Sequence, residues 1–169
     1  MFMNIGLVIL SYLMGSINFA YLVARFKGVN IQDLGSGNPG SSNVLRTMGK
    51  SYAIIVLIGD ILKGFVPVII GLNYDYSLIL GFVAVIGHCF PIFYKFKGGK
   101  GVATYFGAYL AFIFNHPDAF SLDIPYFKVN LVLFFIILYF GLMKIFRISA
   151  LASLTTIILA GFTVIYSIN

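Results

Sequence analysis

The sequence predicts an all-α, polytopic integral membrane helical bundle, and three observations carry that reading. First, 60% of the 169 residues are hydrophobic and 9% are charged, with a mean hydropathy of +1.01, where a soluble domain has roughly 45–50% apolar and about 25% charged residues. Second, the apolar residues gather into runs near the roughly 20 residues that a helix needs to cross a bilayer. Third, the basic residues fall on alternate connections between those runs, as the positive-inside rule requires of a membrane chain. An ordinary soluble fold, a disordered chain and a collagen-like repeat are excluded by composition. A disulfide scaffold is excluded because Cys89 is the only cysteine. The net charge of +6 suits nucleic acid, anionic lipid or an anionic substrate, so its placement decides.

Six spans are expected, at about 2–24, 51–72, 77–94, 101–114, 124–143 and 149–168. The first lacks a basic n-region and outruns the roughly 7–15 apolar residues of a cleavable signal, so it stays as a helix. The second contains Asp60 and Lys63, each of which costs about 2.5–3.5 kcal/mol to bury alone in hydrocarbon. At i and i+3 they face each other on one side of a helix. Two readings stand: a structural pair, or groups lining the bundle side of a site. Pro67 is placed to kink this helix. The third span ends near His88, and the fourth is short, opening on a glycine turn at Gly98, Gly99 and Gly101. The fifth and sixth are uninterrupted.

Arg25, Lys27, Arg46 and Lys50 flank the connection 25–50, Lys95, Lys97 and Lys100 lie between spans three and four, and Lys144 and Arg147 between five and six. The opposite connections carry Asp75, Asp118 and Asp123 with Lys128. The expected topology therefore has the amino terminus outside and every basic loop cytoplasmic.

Two of those loops could carry chemistry. Loop one runs from Gly35 through Ser36, Gly37, Asn38, Pro39, Gly40, Ser41, Ser42 and Asn43 to Arg46. Glycines let backbone N–H groups turn toward a ligand, the serines offer hydroxyls, and Arg46 can clamp an oxyanion bidentately. It lacks the Gly-Lys-Ser/Thr ending of a Walker A loop and the preceding strand of a dinucleotide fingerprint. The competing reading is a merely flexible loop. Loop two carries Lys95, Lys97, Gly98, Gly99, Lys100 and Gly101 into a helix that contains Thr104. Lysines around a glycine turn at a helix amino terminus suit an anion, although juxtamembrane lysines also set topology and meet lipid headgroups. His88 is either a proton acceptor or a hydrogen-bonded interfacial histidine. His116, in the opposite connection, is expected to be solvated. Two histidines and a cysteine on different segments make no metal spacing, and the 18 Phe and 11 Tyr suit lipid and interfacial contact.

The blocks GSGNPGSSNVLRTMGK at 35–50, GDILKG at 59–64 and GHCFPIFYKFKGGKGVAT at 87–104 closely resemble the PlsY family of bacterial membrane acyl-phosphate:glycerol-3-phosphate acyltransferases. The likeness runs in order and spacing from about residue 11 to 155. It implies transfer of a fatty acyl group from acyl phosphate to the 1-hydroxyl of glycerol 3-phosphate, giving lysophosphatidic acid and phosphate, the first step of phospholipid biosynthesis. It implies no metal, no cofactor and no coenzyme A thioester. It also implies membrane lipids but no nucleic acid as partners, a monomer, and a multi-pass protein of the bacterial plasma (inner) membrane. Carried over residue by residue, it implies catalytic roles for Ser36, Arg46, Lys100 and His88. It places Gly37, Asn38, Gly40, Ser41, Ser42, Asn43, Lys97, Gly98, Gly99 and Thr104 around the substrate phosphates. The segment from Arg147 to Ser153 resembles the serine-bearing start of the sixth helix, which adds Ser149.

Family members have a seventh helix and a cytoplasmic tail with a third, phosphate-binding motif. This chain ends at Asn169 without one, so the expectation is a single acyltransferase domain over 1–169, truncated at its carboxyl end. Two rival functions remain: a small phosphate-compound transporter, which would place basic sites within reach of both faces, and a non-catalytic membrane subunit that binds anionic lipid.

Overall fold

A computed structural model describes residues 4–74, 76–115, 127–146 and 149–168. The described residues are helical with no strand: α1 (Ile5–Ser16), α2 (Phe19–Phe26), α3 (Ser41–Met48), α4 (Lys50–Ile70), α5 (Ser77–Cys89), α6 (Val102–Asn115), α7 (Phe127–Phe146) and α8 (Ser149–Ile168), with 3₁₀ turns at Ile31–Asp33 and Ile92–Tyr94. A helix therefore lies on each of the six expected spans. α4 and the segment Ser77–Tyr94 are long and apolar enough to cross a membrane, and α1 with α2 makes a third such segment bent by 41°.

Two expectations change. The first span is two helices, because Asn18 interrupts the apolar run and its side chain accepts hydrogen bonds from the N–H groups of Ala20 (3.1 Å) and Tyr21 (3.3 Å), which starts a new helix. The connection 25–50 holds a helix of its own, α3, which joins α4 through Gly49 at a left-handed φ of 94°. Pro67 lies inside α4.

The chain forms two compact units, Met1–Ala108 and Tyr109–Asn169. In the first, helices meet through small residues. A Cβ on Gly15 of α1 would strike the Ala84 carbonyl of α5, and one on Gly64 of α4 would strike the Thr104 carbonyl of α6. Hydrocarbon gives helices no hydrophobic reason to associate, so such backbone-to-backbone contact supplies the packing. A buried cluster of Ala20, Val23, Ala24, Ile31, Val44, Ala53 and Val56 seats loop one and α3 on α2 and α4. Ile54, Ile55, Leu57, Ile58 and Leu62 are exposed on α4, as a lipid-facing surface requires. In the second unit α7 packs on α8, the Tyr109 hydroxyl and Thr163 Oγ1 share a 2.9 Å hydrogen bond, and the rings of Tyr109 and Phe135 meet edge-on at 5.7 Å.

Candidate functional site

Loop one is shaped by its own asparagines. After α2 the Asn30 side chain caps the turn Ile31–Asp33 by accepting from the Gln32 N–H at 3.2 Å. Gly35 and Gly37 follow with φ of 56° and 69°, a region open to glycine. Asn43, in the first turn of α3, reaches back over them. Its Oδ1 accepts from the Ser36 N–H at 3.0 Å and its Nδ2 donates to the Leu34 carbonyl at 2.9 Å. Buried Asn43 thus spends both ends of its side chain on the loop and supports it, while Ser36 and Arg46 are exposed. Gly40 precedes α3, and no side chain caps that helix, whose first N–H groups carry the partial positive charge of a helix amino terminus. Asn18, fully buried at the α1–α2 break, donates from Nδ2 to the Pro39 carbonyl at 3.3 Å.

Loop two is shaped by what lies beneath it. Beyond α5, Lys95 and Phe96 stand in succession at φ of 53° and 60°, a left-handed conformation that costs a non-glycine residue roughly 1–2 kcal/mol. The Phe96 N–H bonds the Pro91 carbonyl at 3.0 Å and the Lys97 N–H bonds the Tyr94 carbonyl at 3.0 Å, holding this turn. The chain then folds back over the end of α5, where the Gly99 N–H donates to the His88 carbonyl at 3.2 Å. A Cβ on Gly98 would strike the carbonyls of His88 and Cys89. A Cβ on Gly99 would strike His88 Nε2 and lie 3.1 Å from the Pro39 carbonyl oxygen of loop one.

The two loops therefore meet at Gly99 and Pro39. Tyr21 braces the same junction: its hydroxyl donates to the Lys97 carbonyl at 3.0 Å and accepts from Gln32 Nε2 at 2.8 Å, and its ring stacks on Tyr94 at 4.3 Å. Burial lowers the Lys100 pKa from its ordinary value, and the positive charge of Arg46 lowers it further. That repulsion brings the two loops' cations into one field, which a phosphate would relieve.

Under the junction lies a buried polar floor. Lys63 Nζ stands 2.9 Å from Asp60 Oδ1 and donates to the Ile17 carbonyl at the α1–α2 break at 2.7 Å. The same Asp60 oxygen lies 3.6 Å from His88 Nδ1. Asp60, Lys63 and His88 are 2%, 4% and 3% exposed, so this is a desolvated cluster in which charges need partners.

Of the residues singled out in the sequence, the structure brings Gly99 of loop two against Pro39 of loop one and against His88, and Arg46 into the field of Lys100; Ser36, Gly37, Asn38, Gly40, Ser41 and Ser42 lie along loop one and the start of α3, and Lys97 and Gly98 flank Gly99. Thr104 is fully buried in the first turn of α6 and its hydroxyl has no hydrogen-bond partner. Ser149 opens α8 in the second unit, and its side chain lies outside the described atoms. Arg147, His116, Asp75, Asp118 and Asp123 lie outside the described residues. Sequence reasoning missed Asn18, Tyr21 and Gln32. An asparagine in an apolar run was a signal for the first, and nothing marked the other two.

A helical membrane bundle with an arginine and lysines gathered on two glycine-rich loops defines the class: an integral membrane protein with an anion-attracting face. The chain belongs to the glycerol-3-phosphate acyltransferase family, whose model matches residues 5–168. It is 46% identical over 110 residues to the glycerol-3-phosphate acyltransferase of Aquifex aeolicus, a match covering 62% of this chain and 57% of that relative. With the enzyme of Francisella tularensis subsp. holarctica strain OSU18 it is 40% identical over 171 residues, covering 98% of this chain and 76% of the relative. It is also similar to the crystal structure of PlsY, an integral membrane glycerol 3-phosphate acyltransferase, in its glycerol 3-phosphate form. There the TM-score is 0.73 at 33% identity, covering 96% of this chain and 86% of the other. The lysophosphatidic acid form of that protein gives a TM-score of 0.72.

Proposed function

We propose that this chain transfers a fatty acyl group from acyl phosphate to the 1-hydroxyl of glycerol 3-phosphate, releasing lysophosphatidic acid and inorganic phosphate. The observation that carries the reading is the junction at Gly99 and Pro39, which sets Arg46 and Lys100 in one field on a membrane protein of this family. The neighbour's two forms, with glycerol 3-phosphate and with lysophosphatidic acid, support the acceptor and the product.

The reaction needs two anions held side by side. Arg46, Lys97 and Lys100 would neutralise the two phosphates, and Ser36, the N–H groups at the start of α3 and the Gly98–Gly99 backbone would orient them. Asn38 and the hydroxyls of Ser41 and Ser42 complete the loop-one side. The glycerol hydroxyl oxygen attacks the acyl carbonyl carbon, the bond from that carbon to the phosphate oxygen breaks, and phosphate leaves with the electron pair. The hydroxyl proton passes either to His88 or to a phosphate oxygen of a substrate. An acyl phosphate brings its own leaving group, so no acyl-enzyme is required. The acyl chain lies among the helices in the bilayer, which explains a membrane fold. The loops lie at the cytoplasmic face of a bacterial inner membrane, with the amino terminus outside and one chain as the working unit.

The test is phosphate release by the purified chain in lipid, given a long-chain acyl phosphate and glycerol 3-phosphate, with acyl-coenzyme A as the control donor. Turnover with acyl phosphate alone is expected, falling by about 10²–10³-fold in Lys100→Ala. Because Lys100 loses its proton at a lower pH than an ordinary lysine, the KM for glycerol 3-phosphate should rise on the alkaline side before ordinary lysines titrate. Lys100→Arg should abolish that rise. Absence of turnover in a folded sample overturns the proposal, and anionic-lipid binding set only by total charge would favour a non-catalytic subunit.

A further inference from the structure

Loop two turns sharply before it reaches the junction, and the turn is one that its own residues do not favour. The Lys97 N–H donates to the Tyr94 carbonyl at 3.0 Å, which closes a four-residue turn over 94–97. Both central residues have positive φ, 53° at Lys95 and 60° at Phe96. That is the backbone of a primed turn, a conformation that selects Asn and Gly. A lysine followed by a phenylalanine is neither, so the turn needs support from the structure around it.

Tyr21 of α2 supplies that support at both ends. Its ring stacks on the ring of Tyr94, the first residue of the turn, with centroids 4.3 Å apart and planes 7° from parallel. Its hydroxyl donates to the carbonyl of Lys97, the last residue, at 3.0 Å. The same hydroxyl accepts from Gln32 Nε2 at 2.8 Å, and a hydroxyl that accepts while it donates is polarised into a better donor. Gln32 is itself fixed: its N–H donates to Asn30 Oδ1 at 3.2 Å, and its carbonyl oxygen would lie 2.9 Å from a Cβ on Gly37. One tyrosine thus connects the base of loop one to the turn from which Gly98 and Gly99 continue.

We propose that Tyr21 is a positioning residue for the anion site: it clamps the strained turn 94–97 and so fixes where Gly98, Gly99 and Lys100 stand against loop one. Gln32 acts on loop two through the Tyr21 hydroxyl. The clamp lies outside the groups assigned to the phosphates, so it sets how well the anion is held and leaves the reaction of bound substrate alone, the pattern in which KM changes and kcat does not. Its effect on turnover rests on the acyltransferase reading, and its effect on the turn does not.

The experiment uses the full chain in phospholipid bilayers and the variant Tyr21→Phe, which keeps the ring and removes the hydroxyl. Amide hydrogen exchange at 97–99 should speed up about 3–10-fold, the scale of one lost hydrogen bond. The KM for glycerol 3-phosphate should rise by a similar factor, with kcat within about twofold and the thermal midpoint unchanged. Gln32→Leu should raise KM less and add nothing to Tyr21→Phe, because the hydroxyl it works through is already gone. Phe96 is exposed, and Phe96→Gly accepts a positive φ without strain, so in the Tyr21→Phe background it should restore most of both the exchange rate and the KM. Unchanged exchange and KM in a folded Tyr21→Phe protein overturn the proposal. So does a joint fall in kcat and thermal midpoint that Phe96→Gly leaves uncorrected, since that marks a packing defect. Faster exchange that Phe96→Gly reverses, in a protein that never turns over acyl phosphate, supports the clamp and overturns the acyltransferase reading instead.

Discussion

Loop one and loop two are both rich in glycine, yet glycine serves opposite ends in them. In loop one Gly35 and Gly37 take left-handed turns, and Asn43 and Asn18 fasten the result by side-chain hydrogen bonds. In loop two Gly98 and Gly99 are needed because α5 and loop one leave no room for a side chain, while left-handed turns fall on Lys95 and Phe96 as well as on Gly101. One loop is fastened by side-chain hydrogen bonds and the other by close backbone approach to α5. A glycine motif read from sequence thus says that backbone comes close to something, without saying whether to its own turn or to a neighbouring helix.

Substitutions can separate the two cases. Gly98→Ala should have the largest effect, because its Cβ meets the carbonyl oxygens of His88 and Cys89 in the last turn of α5, which cannot swing aside. We expect a loss at or beyond the top of the roughly 1–3 kcal/mol range for overpacking, read as a fall in thermal midpoint in lipid together with lost turnover. Asn43→Ala should come second. It removes two hydrogen bonds and leaves the Ser36 N–H and Leu34 carbonyl to find others, a cost of about 1–3 kcal/mol, with a raised KM for glycerol 3-phosphate as the kinetic sign. Gly28→Ala should do least: φ is 70° but nothing lies within 4 Å of the added methyl, so about 1 kcal/mol of backbone strain with unchanged turnover is expected. If Gly98→Ala proved as mild as Gly28→Ala, the claim that loop two is fastened by close approach to α5 would fail.

The spans were legible because hydrocarbon sets both their length and their composition, and the helix at 149–168 falls where the apolar run placed it. Less was legible where polar groups do the work inside that background. The α1–α2 break rests on one asparagine within an apolar run, and α3 is short, polar and stable only because Val44 and Met48 pack on the α2–α4 cluster. In the site, the types of residue were readable from the glycine-rich blocks, and so was the spacing of Asp60 and Lys63. Their meeting with His88 was not, since nothing local in sequence says which faces of α4 and α5 turn toward each other. Asn43 shows the same limit, because an exposed ligand and a buried brace are written with the same letter.

The Asp60–Lys63 pair has a consequence for how the protein is made. Both charges sit on one helix, three residues apart and within 2.9 Å, so α4 can leave the translocon as a nearly neutral segment during synthesis, before the segments that follow it exist. Had the partner of Lys63 been on a later helix, α4 would have had to wait at the channel with a bare ammonium, at about 2.5–3.5 kcal/mol on insertion scales. Because α1 is synthesised first, the Ile17 carbonyl is already present when Lys63 arrives, and the ammonium can latch the two segments together co-translationally. His88 then joins a pair that is already made.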